Sequence, residues 1–381
     1  MSIQDLTAIS RYYGANPDYV IAGGGNTSFK DETTLYIKGS GSSLAEAEPE
    51  RFVRMDRGLL REIWKKTYPA DPAEREKAAL ADMMAARMAG EEQKRPSVET
   101  LLHDILPFAF VVHTHPALVN GLTCSQDGEQ AAAELFGGDS IWIPSTNPGY
   151  VLSRQVKEAQ DEYIRRRGRP AALVFLQNHG VFVGADTTAG VQEQYRRVME
   201  TVKTRIRREP DFSGEVTAYG CSAAAGRVLG NLAGGKAVRF LRNSEIAALV
   251  KDRRSFVPVS APFSPDHIVY AGSNPLFVDA DGAGDAGAET IPGRIGAAWN
   301  QMVEKTGREP KIAAVQGLGV FGIGGSDKAA GLALELFTDA VKVAVYTEAF
   351  GGARFMPPDQ IDFINNWEVE RYRSKIAGIN P

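Results

Sequence analysis

The stretch VVHTHPALVNG, residues 111–121, places two histidines one residue apart at the end of an apolar run. Side chains at positions i and i+2 of a strand point to the same face, so a strand through AFVVHTH projects His113 and His115 together from its C-terminal end. Pro116 follows at once, and proline suits the first turn of a helix because it has no N–H group. The stretch predicts a strand end, two imidazoles and a helix start, a common place for a site in an α/β sheet.

A third histidine, His179, stands in the sequence QNHG before Gly180, a residue that permits a tight turn. Three neutral imidazoles supplied from strand ends form an open site for a divalent metal, with coordination positions left for water or substrate. The alternative for His113 and His115 is a pair of polar residues that ends a strand, without a third ligand.

A carboxylate for this site is found in SVETLLHD, where Glu99 and His103 lie four residues apart on one predicted helical face. Glu99 is the candidate acid–base residue. His103 is either a further member of the site, a hydrogen-bonding partner behind it, or a buried histidine packed beneath the helix.

The composition is that of a globular protein with two or more domains: 381 residues, 43% of them hydrophobic and 24% charged. The net charge of −4 gives no overall attraction to nucleic acid or to an anionic membrane. Cys124 and Cys221 are too few and too far apart to indicate a disulfide framework or a thiolate metal site. Neither a signal peptide nor an apolar run of membrane-spanning length is found, so we expect a cytoplasmic protein.

Strand-like and helix-like segments alternate along the chain, and EPDFSG, residues 209–214, is a plausible linker. We therefore expect two α/β domains, residues 1–210 and 211–381. Residues 20–44 predict a hairpin with a glycine-rich turn at each end, and ERFVRMDRGLLREIWKKTY, residues 50–68, predicts a helix.

The two halves of the chain share a stretch of similar sequence. LVFLQNHGVFVGADTTAG, residues 173–190, resembles AAVQGLGVFGIGGSDKAAG, residues 313–331, and both predict two strands followed by a helix. When QNHGVF is aligned with QGLGVF, Leu318 replaces His179. The second half is thus predicted to be a degenerate copy of the first that has lost its metal ligand.

A glycine-rich segment, AGGGNTS, offers several unhindered backbone N–H groups of the kind that bind phosphate oxygens. The segment KGSGSS lies across the predicted hairpin, and PSVE supplies a serine at a helix N-terminus, where anions are favoured. The alternative is an ordinary glycine-rich turn. The candidate substrate- or phosphate-binding residues are Asn26, Thr27, Lys38, Ser40, Gly41 and Ser97.

Together, the motifs GGGNTS, KGSG, PSVETLLH, HTHP and NHG, in that order over about the first 200 residues, resemble the class II aldolase/adducin family. That family includes fuculose- and rhamnulose-phosphate aldolases and ribulose-5-phosphate 4-epimerase. In the second half, SPDHIVYA, AVQGLGVFGIGG and DFINNWEVERYRSK resemble the aldolase part of rhamnulose-1-phosphate aldolase/dehydrogenase proteins, and we expect no dehydrogenase domain here. The resemblance implies an α/β three-layer fold with a central, mainly antiparallel sheet, followed by a related α/β domain.

The resemblance also implies roles for individual residues. His113, His115 and His179 match ligands of Zn²⁺ or of another divalent metal such as Mn²⁺ or Co²⁺, and Glu99 matches the proton-transfer residue. Asn26, Ser40, Gly41 and Ser97 match positions that hold a substrate phosphate, although Val98 stands where the family often has a second serine. The family takes a proton donor from a neighbouring subunit's tyrosine, and Tyr150 is our candidate.

The function implied is that of a metal-dependent aldolase, a lyase that cleaves a sugar phosphate or related sugar by a retro-aldol reaction through a metal-stabilised enediolate. Epimerase, decarboxylase and dehydratase chemistry on the same metal site are the enzymatic alternatives. A third reading is a metal-free, adducin-like interaction module, against which the histidines and Glu99 argue. Active sites between subunits imply a homo-oligomer, with a tetramer as one form.

Overall fold

The computed structural model describes residues 2–282 and 290–367. Two compact units are formed. The first unit consists of Met1–Thr123 and Asp127–Arg205, and the second of Cys124–Gln126 and the described residues from Ile206 onward. The expected domains, 1–210 and 211–381, remain a prediction as regions that fold independently.

The first unit alternates strands and helices. Its strands are β1 (Asn26–Lys30), β2 (Thr34–Lys38), β3 (Phe52–Asp56), β4 (Phe110–Thr114), β5 (Ser140–Ile143), β6 (Leu173–Leu176) and β7 (Gly180–Ala185). Its helices are α1 (Ile3–Gly14), α2 (Arg57–Ile63), α3 (Pro72–Ala85), α4 (Thr100–Ile105), α5 (Ala117–Thr123), α6 (Gly128–Phe136), α7 (Tyr150–Arg167) and α8 (Thr188–Lys203).

These strands form one sheet in the order β3-β2-β1-β4-β7-β6-β5. All neighbouring pairs are antiparallel except β5 and β6, which are parallel. The prediction of a mainly antiparallel sheet is confirmed, and β1 and β2 form the expected hairpin. Strand β4 lies inside the sheet, between β1 and β7, so both edges of the strand that bears His113 are paired.

Helices cover both faces of this sheet, as the three-layer prediction required. On one face, Val111 of β4 packs in a buried cluster with Leu102 of α4 and Val156 of α7. On the other face, the hydroxyl of Thr114 donates to Tyr195 of α8 at 2.9 Å. Because side chains alternate along β4, His113 projects toward the α4 face.

The predicted helix over residues 50–68 is wrong in its first part. Residues Phe52–Asp56 form strand β3, and the helix begins only at Arg57. Phe52, Val53 and Met55 are buried while Arg54 is exposed, and β3 pairs along the whole of β2. That pairing with a distant strand overrides the local helical pattern.

The second unit carries a smaller sheet. Its strands are β8 (Ala237–Leu241), β9 (Leu276–Val278), β10 (Ile312–Val315) and β11 (Gly319–Gly324), in the order β8-β11-β10-β9. Its helices are α9 (Ser222–Leu232), α10 (Ser244–Leu249), α11 (Arg253–Phe256), α12 (Ile291–Thr306), α13 (Asp327–Thr347) and α14 (Pro358–Asn366), with a π-helical turn at His267–Ala271. Its core joins α9 and α12 to the sheet.

This sheet repeats the arrangement of β4, β7, β6 and β5 in the first unit. In both units a parallel pair is followed by two antiparallel pairs in the same order. The turns also match: Asn178 and Gly317 are both left-handed, with φ of 59° and 71°. Gln177 and Gln316 each accept a hydrogen bond from the backbone that follows the neighbouring parallel strand.

The register identifies which residues of the second unit occupy the positions of the three histidines. His113 pairs with Phe182, the third residue of β7, whereas Phe240 pairs with Phe321, the third residue of β11. Phe240, Arg242 and Leu318 therefore stand at the positions of His113, His115 and His179.

The described part of the chain contains no helix long and apolar enough to cross a membrane.

Candidate metal centre

The ends of neighbouring strands bring the three histidines together. His113 lies near the end of β4, His115 directly follows that strand, and His179 ends the turn between β6 and β7. Because β4 pairs with β7, this turn is adjacent to the end of β4. The left-handed conformation of Asn178 makes the short turn possible, as asparagine tolerates this region better than most residues.

The three imidazoles converge through their Nε2 atoms. Nε2 of His113 lies 2.8 Å from Nε2 of His115 and 3.4 Å from Nε2 of His179. Available ligand atoms on the three residues all lie within 4.8 Å of one another. Zinc–nitrogen bonds of about 2.0–2.1 Å in tetrahedral geometry place ligand nitrogens about 3.3 Å apart, so the cluster has the dimensions of such a site.

The outer nitrogen of His113 fixes the tautomer of this ring. Its Nδ1 donates to the carbonyl oxygen of Val181 at 3.0 Å, which leaves the lone pair of Nε2 directed into the cluster. Phe182 stacks on the same ring, with centroids 4.0 Å apart and planes 12° from parallel. A hydrogen bond from the ring nitrogen that does not face the metal commonly orients a metal-binding histidine.

Glu99 lies beside the three imidazoles. Its Oε1 lies 3.5 Å from Nε2 of His113 and 3.5 Å from Nε2 of His179. The carboxylate is buried, and Oε1 has no hydrogen-bond partner among the described residues. A buried carboxylate oxygen without a partner is costly, and a cation among the three imidazoles would satisfy it.

The electrostatics of the cluster suit a divalent metal. Burial keeps the pKa of His113 well below its usual value, so its imidazole is neutral at pH 7. Burial of Glu99 acts to raise its pKa, but the electrostatic influence of His113 and His179 and the hydrogen bond from the amide of Asn26 outweigh it, so the pKa lies below its usual value. Neutral imidazoles and an ionised carboxylate are the protonation states in which these groups bind metal.

His103 does not belong to the imidazole cluster. Its Nδ1 contacts Oγ of Ser28 at 2.7 Å, and its Nε2 contacts Oδ1 of Asn26. Asn26 in turn donates through Nδ2 to Oε2 of Glu99 at 2.5 Å. Of the alternatives for this histidine, the structure places it behind the carboxylate, where burial lowers its pKa to about 3.

The glycine-rich segment is tied to the end of β2 by Lys38. The Lys38 ammonium donates to the carbonyl oxygens of Gly23 and Gly25, each at 3.1 Å. Ser97 contacts both Lys38 and Glu99. Its backbone N–H donates to the carbonyl of Lys38 at 3.1 Å, and its hydroxyl accepts from the backbone N–H of Glu99 at 3.2 Å. Ser97 therefore links the end of β2 to the backbone of Glu99.

The remaining candidates lie in different surroundings. Ser40 donates its N–H to the carbonyl of Arg95, and Gly41 has a left-handed φ of 81°. Thr27 is fully buried, and its hydroxyl pairs with Ser10 of α1 at 2.7 Å, on the face of β1 away from Asn26.

Tyr150, the candidate proton donor, lies in a buried aromatic group. Its ring contacts Trp64 and Tyr68, and its backbone N–H donates to Glu76 at 2.7 Å. The role expected for this tyrosine involves a neighbouring subunit, and it remains a prediction.

Three residues around the histidines were given no supporting role in the sequence-based prediction. Val181 and Phe182 support His113, and Ser28 supports His103. The sequence VFV after NHG carried a signal for the first two, since a strand that begins at Gly180 and pairs with β4 places its second and third residues beside His113.

The chain is similar to a known protein family, to a curated relative and to several solved structures. Residues 4–205 match the family model described as Class II Aldolase and Adducin N-terminal domain. A curated relative, the uncharacterized oxidoreductase YuxG of Bacillus subtilis (strain 168), is 23% identical over 418 residues. The match covers 98% of this chain but 58% of that relative, so the chain spans little more than half of its length.

Two solved structures illustrate the likeness. The N-terminal class II aldolase domain of a conserved protein from Thermoplasma acidophilum is 23% identical, with a TM-score of 0.45, and the match covers 54% of this chain and 93% of that one. The L-fuculose-1-phosphate aldolase from Thermus thermophilus is 16% identical, with a TM-score of 0.34, and the match covers 52% of this chain and 92% of that one.

Proposed function

This chain belongs to the class II aldolase and adducin family, and we propose that it is a metal-dependent lyase that cleaves a sugar phosphate, or a related sugar, by a retro-aldol reaction. The observation that carries the proposal is the position of Glu99. Its unpartnered Oε1 faces two of three convergent imidazoles at 3.5 Å, so an ionised base stands beside the candidate metal site.

The proposed chemistry needs stabilisation of negative charge. Breaking the carbon–carbon bond leaves an electron pair on one fragment, while a hydroxyl of the other fragment must lose its proton to become a carbonyl. A divalent cation held by His113, His115 and His179 would supply Lewis-acid stabilisation of that charge.

The residues of this chain handle the protons and the substrate. Glu99, ionised at pH 7, accepts the hydroxyl proton, while Asn26 holds its other oxygen and keeps the carboxylate in place. Tyr150 is the proposed donor to the leaving fragment. Lys38, Ser97 and the glycine-rich segment hold the phosphate at the opposite end of the substrate.

We propose a homo-oligomer, with a tetramer as one form, because the proposed donor comes from a neighbouring subunit. A cytoplasmic location is part of the same proposal. The proposed partner is a small sugar or sugar phosphate. Zn²⁺ is the proposed cofactor, and Mn²⁺ and Co²⁺ are suitable substitutes for a histidine-rich site.

The proposal is tested by measuring dihydroxyacetone phosphate release from a panel of ketose 1-phosphates, with and without a chelator. Release from one of them that a chelator abolishes and added Zn²⁺ restores is the expected result. If no dihydroxyacetone phosphate is released from any of them although one metal is bound per chain, the result would contradict an aldolase acting on these phosphates and favour epimerase, decarboxylase or dehydratase chemistry. If none is released and no metal is bound, the result would contradict a metal enzyme and favour an adducin-like interaction module.

A further inference from the structure

A buried line of hydrogen bonds lies behind Glu99. Ser28 contacts Nδ1 of His103 at 2.7 Å, Nε2 of His103 contacts Oδ1 of Asn26, and Nδ2 of Asn26 donates to Oε2 of Glu99 at 2.5 Å. All four residues are buried, with at most 7% of any of them exposed. Water has no ready access to compete for these bonds.

Each bond in this line has a single allowed direction. A carboxylate only accepts hydrogen bonds, so Asn26 must present its NH₂ group to Glu99 and its oxygen to His103. The oxygen in turn requires a hydrogen on Nε2 of His103. Nδ1 is then the acceptor in this neutral ring, and the hydroxyl of Ser28 donates to it.

His103 is held firmly by other contacts. Its backbone carbonyl accepts from the ammonium of Lys30 at 2.6 Å, and its N–H donates to the carbonyl of Glu99 at 3.1 Å. Its ring packs edge-on against Phe182, with centroids 5.4 Å apart. Phe182 also stacks on His113, so one ring supports both histidines.

We propose that His103 is a positioning residue that fixes the orientation of the Glu99 carboxylate through Asn26. With Oε2 held by Asn26, Oε1 is left facing His113 and His179, where a base beside the metal site is needed. If His103 did not supply a hydrogen at Nε2, the amide of Asn26 would lose the contact that sets its direction. The consequence for turnover rests on the proposed function, whereas the orientation itself does not.

Two substitutions separate positioning from packing. In His103→Gln, the side-chain NH₂ group reaches the place of Nε2–H and still donates to Asn26. In His103→Leu, the volume is largely kept but the donor is lost. We expect His103→Leu to lower kcat about 10- to 100-fold with little change in KM, and His103→Gln to recover most of the loss.

The second unit offers a matched control. His267 is equally buried and also hydrogen-bonded, to Ser264 at 3.2 Å and to Asp339 at 3.1 Å. His267→Leu should leave kcat within about threefold of the wild type. An equal loss of kcat in His267→Leu, or equal values for the Gln and Leu variants at position 103, would assign the effect to folding and overturn the proposal.

Two measurements do not depend on turnover. Long-range ¹H–¹⁵N NMR of the wild-type protein should show His103 protonated at Nε2 and not at Nδ1. The visible spectrum of the Co²⁺-loaded protein should change in His103→Leu but not in His267→Leu, because the carboxylate beside the metal is reoriented.

These readouts keep the two proposals distinguishable. If the wild type cleaves no ketose 1-phosphate, the proposed function fails, while the tautomer and the Co²⁺ spectra still decide the role of His103. A ring protonated at Nδ1, or a Co²⁺ spectrum unchanged in His103→Leu, would overturn the positioning role even in an active aldolase.

Discussion

Gly180 packs against His115 so closely that a methyl group at position 180 would stand 2.8 Å from Cδ2 of the His115 ring. The same methyl group would lie 2.5 Å from the carbonyl oxygen of Thr114 and 3.3 Å from Cε1 of His113. The glycine therefore allows the turn that carries His179 to approach the end of β4. Close approach of two strand ends, as much as the histidines themselves, builds the cluster.

Gly180→Ala should weaken metal binding about 10- to 100-fold, because the turn must move away from His113 and His115. A stability loss of about 1–3 kcal/mol should accompany it, as for other overpacking changes. Titration of the metal-free protein with Zn²⁺ and urea denaturation measure the two effects.

Gly319→Ala is the control for this change, since it is the equivalent position in the second unit and a methyl group there would meet Phe240 at 2.6 Å. It should lower stability without changing metal affinity. Unchanged zinc affinity in Gly180→Ala would contradict the packing argument.

Glu99→Gln should lower kcat about 10²- to 10⁴-fold, because glutamine keeps the shape of the side chain but cannot accept a proton. Metal content should stay close to that of the wild type, since three imidazoles remain. Metal analysis of the purified variant, together with its turnover, checks both statements. Loss of metal as complete as in His115→Ala would show that Glu99 is mainly a ligand.

His115→Ala should lose stoichiometric metal and activity while the chain remains folded. The reason is that the equivalent strands and turn of the second unit form with Arg242 at the position of His115. Metal analysis and circular dichroism of the variant measure the two outcomes. An unfolded His115→Ala protein would show that the metal site is needed for the fold.

Lys30 should make stability depend on pH. Burial lowers its pKa from 10.5 to about 7 in the folded protein. Between these values the unfolded chain binds a proton that the folded chain lacks, so the free energy of unfolding rises with pH from about 7 upward. Below about pH 7 both states are protonated, and the cost of the buried charge is constant.

In Lys30→Met this dependence should disappear. The stability of the wild type relative to Lys30→Met should increase between pH 7 and pH 9 by up to about 1.4 kcal/mol per pH unit. Urea denaturation at pH 6, 7, 8 and 9 measures it. The control is Lys65→Met, which removes an exposed ammonium: the stability of the wild type relative to this variant should not change with pH. Parallel pH profiles for the wild type and Lys30→Met would contradict the prediction.

The histidine cluster was predictable because each of its two parts has a local signature. The spacing of His113 and His115 defines one strand face, and the glycine after His179 marks a turn. Two strand ends then needed only to be neighbours, which the pairing of β4 with β7 provides.

Other features depended on contacts between distant residues. Asn26 was interpreted as part of a loop, but it begins β1, and alternation along that strand sends Asn26 and Ser28 toward His103 and Thr27 toward α1. Residues 52–56 carry a pattern compatible with helix or strand, and only β2 decides between them. Neither outcome follows from local propensity.

The arrangement of strands and turn that the two units share has a consequence for how a metal ion would be acquired. The second unit has the same strands, left-handed turn and helix. Phe240 and Leu318 stand there at the positions that His113 and His179 occupy in the first unit. We therefore expect this arrangement to fold by its own packing, unlike small zinc modules that are unfolded without metal. Loading and exchange of an ion at the proposed site would then take place on the folded protein, so the surrounding ion pool, rather than the moment of synthesis, would determine which metal occupies it.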